Sequence, residues 1–378
     1  MSAFRQAVID ELAHLWRDRF DLSLLTLVPL VCLVVMGGMM SQGSPHGLGV
    51  VIVDQDRSTA SRAIVRAIGA VDALTVVDDG ASLSEGFSAI RSERAIAVEL
   101  LPSGLGSTRP AAVQPSIEIF YQTAFLSTGA VTSALLQSTI AAELIRQAPR
   151  QSGVAGVAAL RVPLPGVQVT LLGNPSASLE WYLGLLIGPA ILHLLIAVTA
   201  AASLGRELVD GSLGPWAVRV GAPAMATAGR LLPHVVVGTL WLCLWLLWLT
   251  LGQGFAFTGA IGLVAVGGVL LFLATAAISA LLISLTGEVA TSLSASVIYA
   301  GSALAYSGAS LPITGGIAIA QIWSAILPLT HYVTLEMDQT IGVDVAIWAK
   351  QALILAIVAL IGGGGAVLIL HRQARKSV

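Results

Sequence analysis

Charge is what this chain has least of. Only 11% of its 378 residues are Asp, Glu, Lys or Arg, against 56% hydrophobic, and the mean hydropathy is +0.87. Soluble domains carry about a quarter charged residues, so the deficit excludes an ordinary soluble domain and puts the chain in the membrane class. A net charge of −2 offers no basic surface, and no nucleic-acid partner is expected. Cysteine is nearly missing too. Cys32 and Cys243 both fall inside apolar runs and read as small buried hydrophobes, not as a disulfide or thiolate metal site. Catalytic signatures are lacking: there is no HExxH, no paired-cysteine motif and no G-x-S-x-G. The glycine run Gly362 to Gly365 is followed by no Lys-Ser or Lys-Thr, so it cannot cradle phosphates. It suits close helix packing instead. No enzyme, bound cofactor or metal is expected, and energy for any work must come from another subunit.

Long apolar runs are what the chain has. Crossing the hydrocarbon takes about 20 apolar residues as a helix, and such runs occupy residues 22–40, 181–204, 231–251, 257–285, 289–309 and 345–370. The fold class expected is therefore a polytopic α-helical membrane protein with about six transmembrane helices. The fourth run is long enough to tilt, or to hide a break around Gly267 and Gly268. Residues 1–21 put Phe4, Val8, Leu12, Leu15, Trp16 and Phe20 on one helical face, with Arg5, Asp10, Glu11, Arg17 and Asp18 largely elsewhere. That is the pattern of an amphipathic helix lying in the headgroup layer, not of a cleavable signal peptide. Arg5, Arg17 and Arg19 precede the first span, Arg206, Arg219 and Arg230 lie between the second and third, and Arg372, Arg375 and Lys376 follow the last. Residues 252–256 and 307–344 carry no Lys or Arg. Basic short segments stay in the cytoplasm, so both termini are expected there, in a bacterial inner membrane.

Residues 41–179 must then lie outside. Strand patterns at 49–53, 74–77, 95–101 and 116–122 alternate with helical patterns at 59–68, 82–94 and 126–147, which predicts an inserted extracytoplasmic α/β domain. The last helix is expected to lift the domain off the bilayer, and 167–172 to lead back to it. Asp54, Asp56 and Ser58 follow a strand and precede a helix, where capping its free N–H groups is a sufficient role. Residues 180–378 hold spans two to six, a cytoplasmic loop at 205–229 and a re-entrant or outer segment at 307–344.

Ion-coupled transport normally leaves ionisable groups inside spans, and these spans hold few. His193, four residues past Pro189, is the deepest; a hydrogen bond to a neighbouring helix's hydroxyl or carbonyl would account for it. Spans two and five are expected to line a path, with Pro189 and His193 on one and Ser292, Ser296, Tyr299 and Tyr306 on the other, though those hydroxyls serve equally as packing glue. The 205–229 loop contains a charged turn and a short amphipathic stretch. It reads either as a solvated loop or as a helix receiving force from a soluble motor.

Several stretches together resemble an ABC-2 type permease of the class with a large domain between its first two spans. Gly49-Val-Val-Ile-Val-Asp-Gln-Asp56-Arg57-Ser58 resembles the opening of that domain. Asn174-Pro175 and Pro189 fit the approach to span two, and Arg206-Glu207 with Gly211-Ser212-Leu213 is similar to the family's coupling segment. Ser307-Gly308, Pro312, Gln321, Leu327-Pro328-Leu329 and Gly342 resemble the elements after span five. The chain departs from the family at Thr314-Gly315-Gly316, at acidic Glu336 and Asp338, and at Gly214-Pro215. The resemblance implies an exporter of an amphipathic or hydrophobic substrate such as a lipid or drug. It implies a second permease subunit, identical or paralogous, and a cytoplasmic ATPase that holds ATP and Mg and docks around Arg206, Glu207, Gly211, Ser212, Leu213 and Trp216. A periplasmic adaptor and outer-membrane channel are further partners that it implies. The rival reading is a non-transporting membrane scaffold whose external domain binds an envelope or phage partner.

Overall fold

A computed structural model describes residues 2–40, 47–78, 82–92, 94–105, 116–121, 126–151, 178–309, 313 and 316–377. The chain divides into two compact units, Met1–Gly43 with Thr170–Val378, and Ser44–Val169.

Helix α1 (Ala3–Arg17) opens on Ser2, whose hydroxyl accepts from the Arg5 N–H. Asp18 then ends α1 and caps α2 (Arg19–Leu25), accepting from the Phe20 and Asp21 N–H groups. A one-residue break at Thr26 separates α2 from α3 (Leu27–Met40). Trp241 Nε1 donates to the Leu25 carbonyl there at 2.9 Å, so a carbonyl at the break keeps a partner. The amphipathic division of α1 differs from the sequence expectation. Ile9, Leu12, Trp16 and Phe20 are exposed, but Leu15 is buried together with Glu11. The inward stripe is half-buried Ala7 with buried Glu11 and Leu15, at a spacing of four.

The inserted unit is built around β1 (Leu48–Asp54), followed by α4 (Thr59–Gly69), β2 (Leu74–Asp78), α5 (Leu83–Arg91), β3 (Ala97–Leu101), β4 (Glu118–Tyr121) and α6 (Leu126–Gln151). The sheet order is β2-β1-β3-β4. Strand β1 runs parallel to β2 and β3, and β4 is antiparallel to β3. Side chains alternate across the sheet: Val50 and Ile52 join Ile64, Ile68, Leu136 and Ile140 on one face, while Val51 and Val53 join Ala89 and Val98 on the other. A central parallel strand buried on both faces is why β1 reads as a continuous apolar run. Leu136 and Ile140 bury the apolar face of α6 in the core of this unit. Asp54 accepts from the Asp56 and Arg57 N–H groups, and Ser58 accepts from those of Ala60 and Ser61. Ser58 fills the capping role anticipated, whereas Asp54 closes the turn ahead of the helix and Asp56 accepts from the Gly104 N–H at 2.7 Å. Residues 167–172, Asn174-Pro175, Pro312 and Thr314-Gly315 lie outside the described residues.

The remaining helices are α7 (Leu179–Gly205), α8 (Gly214–Val220), α9 (Pro223–Leu247, continued by a π turn Trp248–Gly252), α10 (Ile261–Thr286), α11 (Val289–Ser302), α12 (Ala318–Ile326), α13 (Pro328–Thr340) and α14 (Val345–Lys376). Among the described residues, five helical segments are long and apolar enough to cross a membrane: Arg19–Met39, Glu180–Gly205, Pro223–Gly252, Ile261–Thr286 and Val345–Lys376. The pair α12 and α13, bent by 78°, makes up to six if it counts as one span. Helix α10 is continuous, so no break exists at Gly267 and Gly268. Those glycines instead admit neighbours: a Cβ there would lie 2.9 Å from a Leu335 methyl and 2.2 Å from a Leu242 methyl.

The fifth apolar run is not one helix. Helix α11 stops at Ser302, so its 14 residues span about 21 Å, short of the hydrocarbon thickness. The chain turns through Gly308, at φ 80°, into the bent pair. Trp323 Nε1 donates to Ser302 Oγ at 3.1 Å and Ser324 Oγ to the Tyr306 carbonyl at 2.7 Å. Side chains from α12 thus satisfy backbone and hydroxyl groups freed where α11 ends, the condition for irregular backbone at membrane depth. The far end of α13 meets the start of α10, where Gln339 Oε1 accepts from the Ala260 N–H at 3.1 Å.

Candidate functional site

The densest polar chemistry lies where α1, α2, α7, α8 and α9 converge. Glu11 is 1% exposed, and both its carboxylate oxygens accept from Arg206 Nη2 at 2.6 Å. Arg206 Nη1 reaches Asp21 at 2.7 Å. Arg230 Nε lies 3.4 Å from Glu11 and donates to the Ser203 carbonyl at 3.0 Å, while its Nη1 meets Glu207 at 2.8 Å. Arg219 pairs with the other Glu207 oxygen. His234 Nε2 stands 3.1 Å from Glu11, and its Nδ1 is 3.2 Å from Thr199 Oγ1. Three carboxylates thus face three guanidiniums. Burial alone would raise the Glu11 carboxyl, but hydrogen bonds and charge from His234 and Arg206 hold it down at about 2. A buried cluster of this kind adds little net stability over an apolar packing, yet losing one member strands the others. Its effect is to fix α1 against α7 and α9 in one register.

The loop after α7 is held just as tightly. Val209 and Ser212 bridge across Asp210 and Gly211, both at positive φ, and a Cβ on Gly287 would lie 2.3 Å from the Gly211 carbonyl. Leu213 and Trp216 are buried. Gln373 of α14 clamps the segment, accepting from the Leu213 N–H at 3.1 Å and donating to the Ser284 carbonyl at 3.1 Å. A Cβ on Gly214 would sit 2.2 Å from Ser377 Oγ and 2.7 Å from the Gln373 carbonyl, so the glycine is a packing requirement, while exposed Pro215 stands in the first turn of α8. Of the anticipated coupling residues, Arg206, Glu207, Leu213 and Trp216 point into the chain. Exposed on this segment are Val209, Asp210, Gly211, Pro215, Val218 and Arg219.

The anticipated path residues meet at the contact between α7 and α11. His193, Ser292, Ser296 and Tyr299 are buried and so is Pro189, whereas Tyr306 is half-buried beyond the end of α11. His193 Nδ1 lies 2.7 Å from Thr275 Oγ1 on α10, and its ring stands edge-on to Tyr299 at 5.4 Å. Thr275 spends its one proton on the Leu271 carbonyl at 2.7 Å, so the imidazole is the donor, through Nδ1. That leaves Nε2 a buried lone pair with no partner among the described residues, and the Ser292 and Ser296 hydroxyls are likewise unpartnered there.

Four buried polar residues are not apparent from the sequence. Glu11 reads there as part of the solvated face, although its place between Ala7 and Leu15 is an available signal. Arg230 registers only as positive-inside charge, and His234, one turn further along α9, is not singled out. Glu336 reads as an external acid, yet it is fully buried on α13, with neither carboxylate oxygen in hydrogen-bonding geometry to any described residue. The i, i+4 pairing of Tyr332 and Glu336 with Leu329 and Val333 gives a weak hint of an inward face. Among the described residues, one group has metal-ligand spacing, His14, Asp18 and Asp21, but Asp21 is already engaged by His14 at 2.9 Å and by Arg206.

Long apolar helices, an inserted α/β unit and a charge cluster at the bundle end define a polytopic membrane permease. Residues 19–368 match the family model described as ABC-2 family transporter protein, and the chain belongs to that family. Membership makes it a non-catalytic transport subunit that associates with an ATPase subunit. No curated protein matches the chain.

Proposed function

We propose that the chain is the transmembrane subunit of an ATP-driven exporter, moving an amphipathic or hydrophobic molecule out of the cytoplasm or inner leaflet. The observation that carries this reading is the Glu11–Arg206–Arg230 cluster, which joins α1, the end of α7 and the start of α9 into one block. Both termini lie on the cytoplasmic side with the basic segments. A cytoplasmic ATPase docks on the exposed rim made by Val209, Asp210, Gly211, Pro215, Val218 and Arg219. Arg206, Glu207, Leu213 and Trp216 hold that rim to the spans from beneath. Two such subunits form the path, and closure of the ATPases shifts each block. The α7–α11 contact then parts, and the His193, Ser292 and Ser296 polar atoms find partners in the moving substrate or its water. Family membership supports the ATPase partner, and the exposure of the rim supports its docking place.

The test is co-purification of the tagged chain in mild detergent, wild type against a Val209→Glu, Val218→Glu variant. An ATPase subunit is expected with the wild type and lost with the variant. Recovery of envelope proteins without any ATPase overturns the reading.

A further inference from the structure

A groove of about 730 Å³ runs along the first unit between α9, α10 and α14, with Phe4 of α1 at its rim. It falls within the roughly 300–1,000 Å³ of ligand pockets. Every lining position but Thr227 is apolar. On α14 the lining runs from Ala356 to Val367, about 16 Å of helix, which is half the hydrocarbon thickness. The groove is therefore one leaflet deep. A second protein helix docking here would call for contact over the whole span, whereas one lipid chain needs only this length.

Polarity at one end of the groove is the second observation. Thr227 is buried, 6% exposed, and its hydroxyl has no hydrogen-bond partner among the described residues. One turn nearer the bundle end, α9 begins at Pro223 with no capping side chain, so its first N–H groups and the positive end of its dipole face that end. On α14 the groove stripe Leu360, Gly364, Val367 continues at helical spacing into His371 and Arg375, both in the exposed last turns. A basic rim, a helix N-terminus, a lone hydroxyl and then an apolar trough succeed one another along one line.

We propose that this groove is a binding site for an anionic phospholipid of the leaflet on the basic side. The phosphate lies at the α9 N-terminus beside His371 and Arg375, a glycerol ester oxygen accepts from Thr227, and an acyl chain fills the trough under Phe4. Such a lipid would brace α1, whose Phe4 carbonyl lies 2.4 Å from a Cβ placed on Gly229. The site depends on the membrane setting and not on the export reading.

Native mass spectrometry of the detergent-solubilised chain, loaded with phosphatidylglycerol or phosphatidylcholine, tests it. A Cβ placed on Gly364 would meet nothing within 4 Å, so Gly364→Trp fills the trough without displacing protein. Leu353→Trp, at a position of the same helix that is 61% exposed, is the control. Wild type and Leu353→Trp are expected to keep phosphatidylglycerol under activation that strips phosphatidylcholine, and Gly364→Trp to lose it. Should Gly364→Trp not fold, a His371→Ala, Arg375→Ala variant is expected to lose the preference for the anionic lipid. Equal retention of the two lipids by wild type overturns the proposal, and so does undiminished binding by Gly364→Trp or an unchanged preference in the double variant.

Discussion

Glu11 shows how much a single side chain decides in this fold. Its carboxyl is held at about 2 against an ordinary 4.5, so its stabilising contribution is full above about pH 5 and is lost as pH falls toward 2. The total is on the order of 3 kcal/mol. Glu11→Gln is expected to remove that acid-side slope and to lower stability at neutral pH by about 3–5 kcal/mol, the usual result of stranding buried charge; thermal unfolding in detergent across pH checks both. Glu99 on β3 has the opposite sign. It is fully buried, and burial pushes its carboxyl up to about 8, so stability is full below about pH 4.5 and declines as pH rises toward 8, by up to about 1.4 kcal/mol per unit. Hydrogen exchange at the β3 amides, corrected for intrinsic rates, is expected to quicken over that window, and Glu99→Gln to abolish the trend. Neither carboxylate is legible in the sequence as buried. A lone acid in a pattern reads as solvated by default, and only three-dimensional partners reverse that.

Elements are more legible where periodicity is long. The strands and helices of the inserted unit and the long apolar helices follow from alternation and run length, which local sequence carries. The run after Glu288 is misread because hydropathy cannot tell a continuous span from a short helix whose broken end is satisfied by Trp323 and Ser324, residues further along. Packing partners are non-local too: the apolar face of α6, Leu136 and Ile140, is buried with Ile64 and Ile68 of α4. Close helix approach is similarly non-local. Gly229 lies beneath the Phe4 carbonyl, so Gly229→Ala is expected to lift α1 from α9 at about 1–3 kcal/mol. Faster tryptic cleavage after Arg5 and Arg17 would register it.

At the scale of the whole molecule, the family and its membrane architecture are accessible from the order of many weak segments, but the site that organises the bundle end is not. The residues that make it are far apart: Arg206 is 195 positions from Glu11 and His234 is 223. That separation has a consequence for biogenesis. At about 5–20 residues per second, roughly 10–40 s pass between synthesis of α1 and synthesis of its first guanidinium partner. Through that interval the nascent α1 carries the Glu11 carboxylate without a guanidinium partner. Its partners are complete only once Arg230 and His234 of α9 have been made, so the first helix translated takes its place after two helices that follow it by roughly 200 residues.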